Sequence, residues 1–261
     1  NLFDRAYSLV TGVRLEQKRQ SAYADLFLPP SKRGITDSVG VAFDHQEISN
    51  LEVDRSSVGA IREFNKGNNE YRLGLNFQLE ERRALGVNFG QTQALVASSS
   101  WLRNAVDSRL NPTEGYIVFS QLAVASEQFA SDQDFIRLYS RAQKFWSPSR
   151  ENLFSARFEA GTVVASARRD IPQDYLFRAG GTNSLRGFDF LDLGVLDQGV
   201  LVGGRRIMIG SLEYTRWFDA GPLGAAVFTD VGDVSDSWGD FDPKPAIGVG
   251  LRYKTPAGPI A

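Results

Sequence analysis

Apolar and polar residues alternate one for one along most of the chain, and a helical period is almost nowhere to be found. Tyr71, Leu73, Leu75, Phe77 and Leu79 share one parity, while Arg72, Gly74, Asn76, Gln78 and Glu80 take the other. The same split separates Leu9, Thr11, Val13 and Leu15 from Gly12, Arg14 and Glu16, and Val39, Val41 and Phe43 from Gly40, Ala42 and Asp44. Phe154, Ala156, Phe158, Ala160 and Val164 oppose Ser155, Arg157, Glu159 and Gly161; Ile247, Val249, Leu251 and Tyr253 oppose Gly248, Gly250, Arg252 and Lys254. A period of two puts each set on one face of a pleated strand. Turn clusters punctuate the runs: Pro29-Pro30-Ser31, Asn65-Lys66-Gly67-Asn68, Asn111-Pro112-Thr113-Glu114-Gly115 and Ser147-Pro148-Ser149. This template predicts roughly fourteen strands of about 8 to 12 residues. Two segments, 168–206 and the Asp-rich 231–245, lack the alternation. No linker or compositional break divides the chain, so 1–261 reads as one all-β domain whose repeating unit is the hairpin.

Alternation alone leaves open which face is wet. A soluble sandwich turns its apolar face inward, whereas an outer-membrane barrel turns it to lipid and lines its lumen with the polar face. Three features favour the membrane: strands near the length that crosses a bilayer at a tilt, a polar face crowded with charges of both signs and glycines, and aromatics expected at strand ends (Trp101, Trp146, Trp217, Tyr139), where girdles form.

Composition narrows the chemistry. The 261 residues include no cysteine, one histidine (His45), 29 basic and 31 acidic side chains and a net charge of -2. Thiolate sites, disulfides and multi-histidine metal sites are thereby excluded. A pI near 5.6 removes the usual argument for nucleic acid as a partner. Mean hydropathy is -0.25, and the best uninterrupted apolar run, 223–228, is far shorter than a spanning helix needs. The first residues show no basic, apolar leader, and a mature product or excised fragment is expected.

The stretch Phe177-Arg178-Ala179-Gly180-Gly181-Thr182-Asn183-Ser184-Leu185-Arg186-Gly187-Phe188 closely resembles the inward-folded loop of the outer-membrane assembly-factor superfamily, whose members include BamA and TamA. Two further motifs follow in the family's order. Phe228-Thr229-Asp230-Val231-Gly232 resembles its Phe-x-Asp-x-Gly strand. Gly248-Val249-Gly250-Leu251-Arg252-Tyr253-Lys254-Thr255-Pro256-Ala257-Gly258-Pro259-Ile260 resembles its penultimate strand and the turn beyond. Ile209-Gly210-Ser211-Leu212-Glu213-Tyr214 also fits and leans towards the TamA branch. The match is dense from Asp170 onward and thin before Asn111.

The resemblance implies an antiparallel, sixteen-stranded transmembrane β-barrel in the bacterial outer membrane, preceded by periplasmic POTRA domains. The POTRA domains and the last strand are missing from 1–261. Because Ser8 to Glu16 resembles the second strand, the expectation is a barrel short by about one strand at each end, with its seam open. The implied function is insertion, assembly or translocation of other outer-membrane or secreted proteins, such as autotransporters, through a lateral seam. The implied partners are the lipid bilayer, unfolded outer-membrane client proteins and a periplasm-spanning inner-membrane protein reached through POTRA domains. It implies no catalysis, no cofactor and no nucleic acid. The alternatives are a two-partner secretion transporter of the same superfamily and a passive outer-membrane pore, which upstream POTRA repeats would separate.

The residues implied to matter are Gly180, Gly181, Leu185, Arg186, Gly187 and Phe188 on the loop, and Phe228, Asp230 and Gly232 on the strand. Parity puts Asp230 with Ala226, Phe228 and Gly232 on the luminal side, opposite Ala225, Val227 and Val231. A loop too long for a hairpin turn can then fold inward and bring Arg186 to Asp230 as a bidentate ion pair, with Phe188 against the inner wall. Competing chemistry is weak. Gly181 to Gly187 lacks the Lys-Ser/Thr of a phosphate loop. Asp230, Asp233, Asp236, Asp240 and Asp242 miss calcium-loop spacing and read as a solvated loop. His45 beside Asp44 reads as a surface loop histidine, not a base.

Overall fold

The computed structural model describes residues 6–84, 87–218, 221–255 and 258–260. Its strands are β1 (Ser8–Leu15), β2 (Arg19–Phe27), β3 (Thr36–Ile48), β4 (Leu51–Lys66), β5 (Asn69–Ala84), β6 (Val87–Val106), β7 (Gly115–Ala125), β8 (Phe135–Ser149), β9 (Asn152–Ala165), β10 (Val195–Asp197), β11 (Val200–Val202), β12 (Arg206–Trp217), β13 (Leu223–Ser235), β14 (Lys244–Thr255) and β15 (Gly258–Ile260). All but β10 and β11 form one thirteen-stranded antiparallel sheet in chain order, with β9 followed directly by β12. Twelve of its strands are long, against the fourteen that alternation suggested, and β15 is a three-residue piece. Among the described residues no pairing joins β1 to β14 or β15. Pro256, Ala257 and Ala261, part of the last stretch that carries the family resemblance or follows it, lie outside the described residues.

The sheet is inside-out relative to a protein dissolved in water. On β5, Gln78 and Glu80 are 1% and 0% exposed while Leu73 and Leu75 are 46% and 49% exposed. Val39, Val41, Val58, Leu122, Leu138, Phe158, Leu212 and Val227 continue the apolar outer face across seven further strands. Within the sheet, backbone pairing between neighbouring strands lets such a face meet hydrocarbon without orphaned N–H or C=O groups.

Several expectations need correction. The twelve long strands run from 8 to 20 residues, and β4, β5 and β6 at 16, 16 and 20 exceed the about 9–11 that a tilted spanning strand requires. The surplus length of β3, β4 and β5 carries polar outer residues: His45, on β3 and not in a loop, bonds through Nδ1 to Asp54 Oδ1 at 2.7 Å, and Arg83 also reaches Asp54. The segment 231–245 is part strand, because β13 continues to Ser235 and β14 begins at Lys244. Asp233 is buried against Lys244 Nζ at 3.0 Å and Asp236 meets Arg168 Nη1 at 2.8 Å, so neither is merely solvated. Trp217 and Tyr139 are not girdle residues: both have inner parity, Trp217 is buried, and Tyr139 stacks on Phe177.

Candidate functional site

The inner face is covered by the chain between β9 and β12, residues 166–205. Short-range chemistry shapes this loop. A 3-10 turn spans Gln173–Tyr175. The β10–β11 hairpin turns at Gln198 and Gly199, whose φ values of 53° and 82° suit the two-residue turn that follows strand twist. Bridges Phe177↔Gly204 and Ala179↔Leu193 zip the two limbs together. At Gly180, φ is +113°, and a Cβ would run into the carbonyl of Asp189, so a side chain is barred on both grounds. Gly181 and Gly187 also have positive φ.

Apolar contacts hold the loop down. Ile171, Leu176, Phe177, Ala179, Leu185 and Leu193 are buried in one cluster with wall residues Val96, Phe135, Val163, Ile207 and Ile209, and Phe188 packs against its edge. Val200 and Val202 of the hairpin form a second cluster with Leu51, Val53 and Ala84 on the ends of β4 and β5.

At the tip, Arg186 meets Asp230 directly. Arg186 Nη2 lies 2.7 Å from Asp230 Oδ1 and Nε 2.8 Å from Oδ2, and the Arg186 backbone N–H donates to Oδ2 at 3.0 Å. Asp230 is 0% exposed. The outer parity of Val227 and Val231, both exposed, turns Asp230 to the loop. The guanidinium lies over the Phe228 ring with Cζ 3.6 Å from its centroid, a cation–π contact strengthened by the scarcity of water. Gly248 across the ladder makes room for that ring, because a Cβ there would strike it. Gly232 has no such role at the tip; a Cβ on it would press on the backbone of β12 at Met208 and Ile209.

Four partners escaped the sequence reading. Ser211 Oγ donates to Asp230 Oδ1 at 2.6 Å and accepts from Arg186 Nη2 at 2.9 Å. Glu213 accepts from Arg186 Nη1 and is held from the other side by Arg252 Nη2, 2.8 Å from both carboxylate oxygens. Arg157 donates to the backbone carbonyls of Asn183 and Ser184, fixing the tip's turn. The tip is therefore an alternating chain, Asp230–Arg186–Glu213–Arg252, whose formal charges cancel. The signal was available: Ser211 and Glu213 share the inner parity of β12, and Ser211 stands opposite Asp230 in register.

The base of the loop has its own anchor, also unforeseen. Glu80, fully buried on β5, accepts the Gln173 backbone N–H with both oxygens at 3.0 Å, and Arg55 Nη2 reaches Asp174 Oδ1 at 2.9 Å. Gln173 Oε1 in turn accepts from Gly203 N at 2.9 Å, tying the entering limb to the leaving one. The loop thus bridges β4–β5 and β12–β13. Among the described residues no group of His, Cys, Asp and Glu side chains is arranged to hold a metal ion.

Comparison with known proteins agrees with the fold. The chain is 24% identical, over 279 aligned positions, to the outer membrane protein assembly factor BamA of Nitratidesulfovibrio vulgaris strain Hildenborough, covering 100% of the chain and 35% of that relative. The fold superimposes on the crystal structure of Haemophilus ducreyi BamA lacking POTRA domains 1–3 with a TM-score of 0.83 at 16% identity, over 98% of this chain and 60% of that one. CdiB from Acinetobacter baumannii superimposes with a TM-score of 0.53 at 12% identity, over 91% and 44%. The chain therefore spans about a third of the length of the curated relative. An Omp85 superfamily domain matches residues 1–261, the whole of the sequence, and the chain belongs to the Omp85 superfamily.

Proposed function

We propose that this chain is the membrane barrel of a factor that assembles other outer-membrane proteins, with the clasped loop bracing its wall. Omp85 membership and the likeness to BamA make it a bacterial outer-membrane protein; the activity is the proposal. The observation that carries it is the loop itself, anchored at its base to β4–β5 and at its tip through Arg186 to Asp230 and Glu213. In this reading the full-length protein closes a sixteen-stranded barrel whose first and last strands form a weak seam. An unfolded client strand adds to the parted edge by backbone pairing. The loop keeps the far wall rigid while the seam moves. Nucleophiles and cofactors have no part in this, and the work is done by strand exchange. Autotransporters are suitable clients, and a periplasm-spanning inner-membrane partner would engage domains outside this chain. The leaning of residues 209–214 towards the TamA branch belongs to the same proposal.

The likeness to CdiB favours a second reading, export of one dedicated partner by a two-partner secretion transporter. A passive pore fits less well, because the loop fills the inner face with packed apolar side chains. The test is Arg186→Ala in the full-length protein in cells, scored by the folded levels of several unrelated outer-membrane barrels. Assembly is expected to fall for all of them. Loss confined to one secreted protein would support the secretion reading, and unchanged assembly and secretion would refute both.

A further inference from the structure

The outer wall is not uniformly smooth. Across β6, β7, β8, β9 and β12 the outward residues Trp101, Ser120, Ser140, Ala160 and Met208 stand in one cross-strand row, each paired in register with the next. The three central residues are small, while Leu122 and Leu138 rise beside them, and the result is a groove of about 560 Å³ on the membrane-facing surface. Ser120 and Ser140 spend their hydroxyls on each other at 3.0 Å, and Ser140 also donates to the Phe119 carbonyl, so these two central hydroxyls present no unmet polar demand to hydrocarbon. Five strands at their usual spacing make the row roughly 19 Å long.

One end of the groove is cationic. Met208 and Trp238 close it on the side of the long loop, and Arg206, the first residue of β12, has its Cζ 6.0 Å from the Trp238 ring. Arg206 is on the outer parity with Met208. Its Nη1 donates to the Val163 and Arg205 carbonyls, its Nε has no partner, and among the described residues no carboxylate lies within ion-pair distance of it. Neighbouring Arg205 adds a second positive charge, partly offset by Asp236 at 3.7 Å. An arginine at a strand end beside an exposed tryptophan sits where headgroups lie.

We propose that this groove binds one acyl chain of an anionic, phosphate-bearing membrane lipid, with Arg206 at the phosphate and Trp238 at the headgroup boundary. The occupant follows from the setting: the groove opens onto bilayer, its floor is apolar and its uncompensated charge is positive. Guanidinium suits phosphate by shape as well as charge. A zwitterionic lipid would fill the same floor but gain less at Arg206.

The test uses the full-length protein in phosphatidylcholine vesicles containing a minority of phosphatidic acid, with bromine on the acyl chains of one lipid or the other. Tryptophan quenching lost on replacing Trp101 and Trp238 by Phe reports the groove. Brominated phosphatidic acid should quench this component several-fold more than brominated phosphatidylcholine at equal mole fraction. Arg206→Gln should equalise the two lipids, and Ser140→Leu should abolish the groove component while leaving quenching of Trp146 unchanged. Unlabelled phosphatidic acid should reverse the excess quenching in the unsubstituted protein, which keeps the test valid if a variant fails to fold. Equal quenching by both lipids in the unsubstituted protein, reversal by inorganic phosphate, or an excess that survives Arg206→Gln would overturn the proposal, as would exclusion of both lipids by a protein neighbour.

Discussion

Removing both halves of the Arg186–Asp230 pair should cost clearly less than the sum of the two single removals. Asp230 accepts four hydrogen bonds, three from Arg186 and one from Ser211. After Arg186→Ala the carboxylate keeps the backbone N–H of residue 186 and the Ser211 hydroxyl, but a fully buried charge has lost its counter-charge. Breaking a buried pair this way costs about 3–5 kcal/mol, and this variant belongs at the upper end. After Asp230→Ala, Arg186 still reaches Glu213 and the Phe228 ring, so the loss should lie near the lower end, about 3 kcal/mol. The double variant strands neither charge, because Glu213 retains Arg252. The coupling free energy should then be about 2–3 kcal/mol. The assay is urea unfolding of the four proteins in lipid vesicles, with the folded fraction read from heat-sensitive electrophoretic migration. Additivity within about 0.5 kcal/mol would show that the two groups do not depend on one another, and the account of the tip would be wrong.

Glu80→Gln weakens the acceptor for Gln173 N–H and removes the charge facing Arg55; a cost of about 1–3 kcal/mol is expected. Hydrogen exchange should then rise at the loop base around residues 171–176 and stay unchanged at the tip, whereas a uniform rise would contradict two separate anchors. Gly180→Ala forces a side chain into a positive-φ position against a backbone carbonyl, and at least about 1–3 kcal/mol should be lost; protease resistance of segment 166–205 tests it. Leu138→Arg places a charge on the lipid face and should cost about 2–4 kcal/mol if that residue lies near the bilayer centre, measured by folding yield into vesicles against Leu138→Ala. In the loop between β6 and β7, the Thr113 hydroxyl and the Glu114 and Thr113 backbone N–H groups hold the Asp107 carboxyl below its ordinary value. A depressed carboxylate stabilises above its unfolded pKa of about 4 and loses that contribution as pH falls through the lower folded value. Exchange of the Thr113 amide should therefore show no Asp107-linked change between neutral pH and that point, and Asp107→Asn should raise it at neutral pH.

How far the sequence reached can be judged from the same residues. Period-two alternation was enough to predict the all-β fold and to place Asp230 opposite Val227 and Val231, because strand parity is a local property of the backbone. Which face met water was not local, and three sequence motifs, not the alternation, decided it. The resemblance of 177–188 and 228–232 brought Arg186 and Asp230 together on paper. Ser211 was within reach through register, but Glu213 and Arg252 needed three strands placed side by side. His45 was misplaced in a loop because β3 and β4 run longer than a membrane crossing needs, and no turn residue marked the overrun. Trp217 and Tyr139 were assigned to a girdle from their residue type, while parity alone would have turned them inward.

The sequence by itself therefore determined the strands, their two faces and the one loop too long to be a turn, since these follow from spacing along the chain. Only the tertiary structure decided that the loop is pinned at two places, by Glu80 and Arg55 at its base and, beside the Asp230 partner that the motifs had pointed to, by Glu213 at its tip. Those contacts join residues 27 to 119 positions apart (Arg186 with Glu213 and Asp230 at 27 and 44, Gln173 with Glu80 at 93, Asp174 with Arg55 at 119). A contact of that range exists only once the sheet has curled its inner face around the loop, and no local pattern encodes it.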